Sequence, residues 1–248
     1  MRNQHLNYRS GNPVLTSKAF SIKDDYADKM TIEGTVNKTF LLLTLVMGSG
    51  YFAWNYLYAS LYLLAPAGIL AAIFMILIIF NKKLIAYFAP LYAISQGITM
   101  GMFSYYLNTL YEGIAITAMS YTFCILFGLL SIYRLGLIKP TENFKLGVGA
   151  ATLGIFLLYL ANFIMERFGA GIPLLDINNT SMFSIGFSVF VVFIAAMNLV
   201  VDFDFIEEGA EKGAPKYMEW YGAFGLMVTL IWLYLEILKL LAKLNSRK

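Results

Sequence analysis

Residues Thr39–Asn81 read TFLLLTLVMGSGYFAWNYLYASLYLLAPAGILAAIFMILIIFN and contain no charged side chain over 43 positions. Five further runs without charge follow along the chain: Leu84–Tyr111, Gly113–Tyr133, Leu146–Met165, Ile177–Val201 and Trp220–Leu235. A helix at the surface of a soluble protein keeps one polar face. Charge-free runs of this length therefore predict helices surrounded by lipid, in an all-α, polytopic membrane protein.

The composition of the 248-residue chain favours the same class. Hydrophobic residues make up 59% and charged residues 13%, against roughly 25% charged in a typical soluble domain. The net charge of +3 is small and the basic residues lie at the ends of the runs, so membrane lipid is an expected partner and nucleic acid is not. The single cysteine, Cys124, excludes an intrachain disulfide, and no cysteine cluster indicates a metal centre. No cofactor is expected.

The lengths of the runs set the number of spans. A helix needs about 20 residues to cross the hydrocarbon core, so Thr39–Asn81 is long enough for two spans. We predict seven spans in all, at 37–57, 61–80, 84–106, 113–133, 146–166, 182–206 and from 217–224 to 241. The corresponding organisation is a polar, disordered cytoplasmic tail at 1–36 and a seven-helix membrane domain at 37–244.

The distribution of lysine and arginine predicts the orientation. Basic residues concentrate in the N-terminal tail and in every second loop, whereas the intervening loops contain only Arg167. By the positive-inside rule the N-terminus is cytoplasmic, in a multi-pass protein of the cell membrane (the inner or plasma membrane). Seven spans place several C-terminal cations, among them Lys239 and Lys243, on the opposite side. Either the seventh span crosses and tolerates them or it is re-entrant; we favour seven crossings.

Small residues at helical spacing indicate close helix contacts. Gly97 and Gly101 lie in the third predicted span, and Gly147, Ala151 and Gly154 lie in the fifth. Such spacing lets two helix backbones approach closely. The pattern is equally compatible with ordinary membrane-helix glycine and with a specific dimer face.

Two acids lie deep in apolar sequence. Asp202 lies near the end of the sixth span and Glu236 lies within the seventh. A lone carboxylate at the centre of a membrane helix costs ~2.5–3.5 kcal/mol, so it needs a partner, a proton or a cation. Two carboxylates held together do not both ionise easily and can share one proton. After loss of that proton they offer oxygen ligands to a hard cation such as calcium.

Each acid also has a simpler interpretation. Asp202 and Asp204 can be solvated residues at a cytoplasmic helix end, and Asp204 faces away from Asp202 because it follows two residues later. Glu236 can form a local ion pair with Lys239, three residues further along. Glu236 lies ~24 Å beyond Trp220. Asp202 and Glu236 therefore meet only if the membrane portion of the seventh helix starts nearer Gly225, or if that helix is tilted or begins in the cytoplasm.

The residues around these acids are similar to those of a known family. Asn198–Lys243 reads NLVVDFDFIEEGAEKGAPKYMEWYGAFGLMVTLIWLYLEILKLLAK. Near the N-terminus, Asn12–Leu15 and Ser17–Phe20 read NPVL and SKAF, and Met30–Thr39 carries a further motif. These segments resemble the Bax inhibitor-1 family, in particular its bacterial branch, and the resemblance covers nearly the whole chain.

The resemblance implies seven helices with the last helix near the centre of the bundle, and a pH-sensitive calcium leak through the membrane. In that family a pair of aspartates on helices six and seven shares a proton and gates the pore. Asp202 matches the first, and Glu236 stands at the second position as a glutamate, one methylene longer. A basic residue near the end of helix two also pairs with the acids in the family. Lys82 or Lys83 stands in that region, although both can simply mark the topology and lysine lacks the planar fork of arginine.

Two hypotheses of different class follow. The leading one is a calcium (cation) leak channel gated by a proton that Asp202 and Glu236 share. In this hypothesis the same two acids bind calcium transiently. The possible accessory residues are Asp204, Lys82 and Lys83. The alternative is a regulatory protein that binds a membrane protease or acts in a stress response through its tail. An enzyme is not expected, because the chain lacks the Gly-x-Gly-Asp motif of intramembrane aspartyl proteases. Its one histidine lies in the polar tail, which also excludes a buried serine–histidine pair.

Overall fold

The structure, a computed structural model, describes residues 29–57 and 60–247 of the chain. Within these residues it contains seven α-helices and no β-strand. The helices are α1 (Ile32–Tyr56), α2 (Leu64–Phe80), α3 (Ile85–Leu110), α4 (Ile114–Arg134), α5 (Glu142–Glu166), α6 (Met182–Glu211) and α7 (Met218–Asn245). Each lies where a charge-free run predicts a helix, so the all-α class and the helix positions are confirmed. α1 begins five residues inside the predicted tail, and residues 1–28 of that tail lie outside the described part.

The starts of α1 and α5 follow from local sequence. Thr31 and Thr141 cap these helices, because each hydroxyl accepts a hydrogen bond from the backbone N–H three residues on, at 3.0 Å and 3.3 Å. Glu33 and Glu142 lie in the first turns, where the helix dipole favours negative charge. Polar residues therefore occupy the helix starts, and the apolar interiors are left to face lipid or other helices.

Four of the described helices, α4 to α7, are long and apolar enough to cross a membrane. α2 is apolar but shorter, with 17 residues. The chain is therefore a multi-pass helical membrane protein, and the number of seven crossings stays a prediction. α7 is a single helix of 28 residues, about 42 Å long at the standard rise. An unbroken helix cannot turn back inside the membrane, so the re-entrant alternative does not apply to it.

The chain folds into two compact units, and α6 and α7 contribute residues to both. Of the described residues, the α1–α3 unit comprises 29–57, 60–112 and 205–228. The α4–α5 unit comprises 113–204 and 229–247. Both predicted acids, Asp202 and Glu236, lie in the α4–α5 unit.

In the α1–α3 unit, glycines bring the backbones of α1 and α3 together. A Cβ atom at Gly101 would overlap the carbonyl group of Gly50. A Cβ atom at Gly97 would overlap the turn of α1 that precedes Gly50. The close contact predicted from the four-residue spacing is confirmed for α3, and its partner is α1 of the same chain. The expectation fails for the two glycines of α5, because a Cβ atom at Gly147 or Gly154 would meet no described atom within 4 Å. Ala151 of α5 does pack against the core that α5 forms with α6.

A buried carboxylate joins the start of α1 to the start of α7 in the same unit. Glu219 is fully buried, and its Oε1 accepts hydrogen bonds from Thr31 N at 2.9 Å and from Thr31 Oγ1 at 2.8 Å. Lys38 Nζ lies 2.5 Å from Oε2 and Lys216 Nζ lies 2.9 Å from Oε1. A Cβ atom at Gly34 would overlap this carboxylate. The first turn of α1 therefore rests directly on the Glu219 side chain.

In the α4–α5 unit, α6 and α7 run antiparallel. Thr229 of α7 donates a hydrogen bond to Asp202 near the end of α6. Lys243, near the end of α7, donates hydrogen bonds to Ser184 and Ser188 near the start of α6. The two contacts on α7 are 14 residues apart, about 21 Å of helix, so the helices follow each other over most of a membrane thickness.

The core shared by α5, α6 and α7 is apolar. Ile155 of α5 packs with Val191 and Ile194 of α6, all three buried, and Trp232 of α7 packs against them. α6 and α7 bury more than half of their most apolar segments, whereas α5 buries about a tenth. The polar side chains on the inner faces of α6 and α7 are consequently removed from lipid and from water.

Candidate functional site

Asp202 is a fully buried carboxylate on α6. Its Oδ2 accepts a hydrogen bond from Thr229 Oγ1 at 2.5 Å, while Oδ1 has no hydrogen-bond partner among the described residues. The ion pairs of the described residues do not include Asp202. The interpretation of Asp202 as a solvated helix-end residue is therefore wrong. A buried carboxylate held by one neutral hydroxyl requires a proton or a cation to offset its charge.

Glu236 is buried on α7 but has several partners. Its Oε2 accepts a hydrogen bond from the Tyr159 hydroxyl of α5 at 2.9 Å. Its Oε1 accepts hydrogen bonds from Lys239 Nζ at 2.6 Å and from Trp232 Nε1 at 3.1 Å. Lys239 also lies 4.6 Å from the centre of the Tyr159 ring. The local Glu236–Lys239 ion pair predicted from the three-residue spacing is confirmed.

The two acids belong to the same unit but bind different partners. Thr229, which binds Asp202, precedes Glu236 by seven residues, which is two turns or about 10 Å along α7. None of the hydrogen bonds made by either carboxyl group joins the two acids. A directly shared proton is therefore not a feature of this structure, and Asp202 and Glu236 are two separate ionisable groups with different partners.

The accessory residues lie in three different settings. Asp204 is partly buried, with a side chain 23% exposed, and forms an ion pair with Lys145 Nζ of α5 at 2.5 Å, so it is less solvated than predicted. Lys82 Nζ lies 5.7 Å from the centre of the Tyr221 ring in the α1–α3 unit, and partial burial lowers the pKa of its ammonium group. Lys83 is exposed. Participation of either lysine in the acid site stays a prediction.

Sequence reasoning missed the polar residues that surround the two acids. Thr229 holds Asp202, Tyr159 holds Glu236, and Asn198 lies one turn before Asp202 on α6, 1% exposed. The available signal was their position inside charge-free runs. A polar side chain in such a run has no water to bind, so it has to find a partner on another helix or on its own backbone.

Lys243 is a further buried ionisable residue, and the sequence analysis did not identify it as one. Only 2% of Lys243 is exposed, and its Nζ donates hydrogen bonds to Ser184 Oγ at 2.8 Å, Ser188 Oγ at 3.0 Å and Leu174 O at 3.1 Å. Its three donors are therefore satisfied by three neutral acceptors. Lys239 is less deeply bound, since its side chain is 27% exposed in the ion pair with Glu236.

The ligands that the described residues around Asp202 offer to a metal ion are few, and they are oxygen atoms. Among the described residues there is no group of three or more histidine, cysteine, aspartate or glutamate side chains that could hold a metal ion. Asp202 nevertheless offers a buried carboxylate oxygen that has no hydrogen-bond partner in the described part of the chain. Carboxylate oxygen is the preferred ligand of hard cations such as calcium.

These features define a polytopic helical membrane protein with ionisable groups in its interior. The chain belongs to the family described as Bax inhibitor 1 like, whose family model matches residues 12–246. The resemblance read from the acid-rich C-terminal segment and from the N-terminal motifs is thereby confirmed. No curated protein and no solved structure matches the chain.

Proposed function

We propose that the protein is a pH-sensitive leak pathway for a hard cation, foremost calcium, across the cell membrane. Its seven helices cross the membrane, α7 lies inside the bundle, and the N-terminus is cytoplasmic. Asp202 is the group that exchanges a proton for a cation, and Glu236 sets the electrostatic field beside it. The family membership supports a membrane protein of this type.

The buried Asp202 carboxyl group carries the proposal. Its Oδ2 is bound by Thr229 and its Oδ1 has no partner among the described residues. A proton on Oδ1 neutralises the group without breaking the bond to Thr229. A cation beside Oδ1 offsets the same charge in another way. The site can therefore trade one for the other without rearranging its existing hydrogen bond.

Loss of the proton changes the contact between α6 and α7. A charged Asp202 places an uncompensated negative charge at the buried contact of α6 with α7, whereas the charge of Glu236 is already offset by Lys239. An unpaired charge away from water is costly. We expect this cost to favour hydration of the contact and entry of a cation. The leak is consequently small at low pH, where Asp202 is neutral, and larger at high pH.

The ion pair of Glu236 with Lys239 fits this scheme. Lys239 Nζ lies 2.6 Å from Glu236 Oε1, so the positive charge of the lysine is offset while the pair is intact. Without the carboxylate, the lysine would present an uncompensated positive charge next to the pathway and repel an entering cation. Glu236 is therefore needed for the leak even though no hydrogen bond links it to Asp202.

Calcium flux into liposomes at a series of pH values tests the proposal. Asp202→Asn is expected to keep the flux at its low-pH level at every pH, because the amide cannot ionise. At high pH this is a loss of about tenfold or more, since 1.4 kcal/mol of lost cation attraction corresponds to a factor of ten. Glu236→Gln is expected to remove the pH dependence as well, because Lys239 loses its counter-charge.

Glu208→Gln is the matched control. It removes the charge of another acid on the same helix, which is partly exposed and already paired with Lys212. We expect this variant to retain the pH dependence of the unchanged protein. A pH dependence that survives in both Asp202→Asn and Glu236→Gln would contradict the proposal.

A further inference from the structure

Two buried oxygen atoms on one face of α6 have no hydrogen-bond partner among the described residues. They are Asn198 Oδ1 and Asp202 Oδ1, and their residues are 1% and 0% exposed. Unpaired buried acceptors are uncommon in folded proteins, because each has lost its hydration without a replacement. Residues four apart on a helix have Cβ atoms about 5–6 Å apart, so the two side chains are neighbours on α6, within the α4–α5 unit.

The orientation of the Asn198 amide is fixed by its donors. Nδ2 donates to Thr152 Oγ1 of α5 at 2.7 Å and to the backbone carbonyl of Ile194 at 2.9 Å. A backbone carbonyl can only accept a hydrogen bond, so the NH2 group has to face Ile194. A flipped amide would bring two acceptors together. Oδ1 is therefore held as an acceptor that side-chain rotation cannot turn into a donor.

Fixed acceptors without a donor favour an electron-poor occupant. Asp202 adds a carboxylate that no described cation offsets. The hydroxyl groups of Thr152 and Thr229, each hydrogen-bonded to one of the two side chains, add hard oxygen atoms. Carboxylate, amide and hydroxyl oxygens are typical ligands of hard cations, and water molecules fill the remaining positions around such an ion.

We propose that Asn198 is a cation-binding residue, and that its Oδ1 and Asp202 Oδ1 together hold a partly hydrated divalent cation on the inner face of α6. The assignment rests on the proposed function and specifies its site. Asp202 supplies the charge, and Asn198 supplies a neutral oxygen, already in place, that substitutes for part of the hydration shell. A site with one charge and one neutral ligand releases its ion more readily than a cage of carboxylates, as conduction requires.

Calcium binding to the purified full-length protein in detergent tests this role. The readout is the rise in apparent unfolding temperature with calcium concentration, which gives the apparent affinity. Asn198→Leu is expected to weaken calcium binding about tenfold, the usual effect of removing one supporting oxygen from a metal site. The unfolding temperature without calcium is expected to fall by only about a few degrees, because the hydrogen bonds of Nδ2 to Thr152 and Ile194 are lost with the amide while a side chain of similar volume fills its place. Asn198→Ala removes the same oxygen without added bulk and is expected to weaken binding likewise.

Asn245→Leu is the matched control, since the amide of Asn245 bonds to the backbone carbonyl of Leu241 at the end of α7. We expect its calcium affinity to equal that of the unchanged protein.

Three outcomes would overturn a proposal. If both Asn198 variants bind calcium normally while Asp202→Asn does not, the role of Asn198 is overturned and the proposed function stands. This is the result expected if Asn198 Oδ1 binds only a water molecule. If the unchanged protein neither binds nor conducts calcium, the proposed function itself fails. If both Asn198 variants fail to fold without calcium, the amide acts in packing, and the proposal is overturned.

Discussion

Glu219→Ala is expected to lower the apparent unfolding temperature in detergent by about 10 °C. The carboxylate is fully buried and binds the backbone and hydroxyl of Thr31 together with Lys38 and Lys216. Removal of one partner of a buried ion pair destabilises a protein by about 3–5 kcal/mol. We expect the lower end, about 3 kcal/mol, because the lysine side chains are 22% and 49% exposed and can recover some hydration. In a chain of this size each kcal/mol corresponds to roughly 2–4 °C.

Glu208→Ala provides the comparison for this prediction. Glu208 forms an ion pair with Lys212, but the two side chains are 34% and 49% exposed. An exposed pair contributes about 0–1 kcal/mol, so we expect a fall of no more than a few degrees. Equal losses in the two variants would show that burial of Glu219 does not stabilise the start of α1. A scan of tryptophan fluorescence against temperature measures both.

Gly101→Ala is expected to destabilise the protein, although alanine is the better helix former. The new Cβ would overlap the backbone carbonyl group of Gly50 on α1. Neither group can rotate away, because a Cβ atom is fixed to its helix and the carbonyl is part of the other. Overpacking of a tight contact costs about 1–3 kcal/mol. The gain from replacing a mid-helix glycine, about 0.5–1 kcal/mol, is too small to offset it.

The same substitution at Gly48 is expected to have the opposite sign. Gly48 lies on α1 two residues before Gly50, and a Cβ there would meet no described atom within 4 Å. Gly48→Ala should therefore stabilise the helix by about 0.5–1 kcal/mol. The test is the order of the apparent unfolding temperatures: Gly48→Ala above the unchanged protein, and Gly101→Ala below it. A stable Gly101→Ala variant would mean that α1 and α3 do not touch at this point.

The positions of the helices could be predicted from the sequence, because lipid disfavours charge at every residue of a membrane span. A charged side chain in hydrocarbon is costly wherever it stands, so the limits of α4 and α5 follow closely from the limits of the charge-free runs. The Glu236–Lys239 ion pair was foreseen for a similar reason. Both residues lie on one turn of one helix, and their distance is fixed by helix geometry alone.

The partners of Asp202 were not foreseen because they depend on how two helices are placed along each other. α6 and α7 are apolar over long stretches, and many offsets between them bury similar apolar area. The offset of α7 along α6 that the structure adopts places Thr229, rather than Glu236, in contact with Asp202. The burial of Lys243 against Ser184 and Ser188 has the same origin.

The linear order of residues was enough to establish a lipid-embedded helical protein, its family and two of the three acids that are buried among the described residues, since each of these is a local property of a run or motif. The separation of the two acids, the unpaired oxygens on α6 and the burial of Glu219 appeared only when the helices were packed. Contacts between helices are made by residues far apart in the chain, so no local pattern specifies which polar atoms will meet and which will be left without a partner.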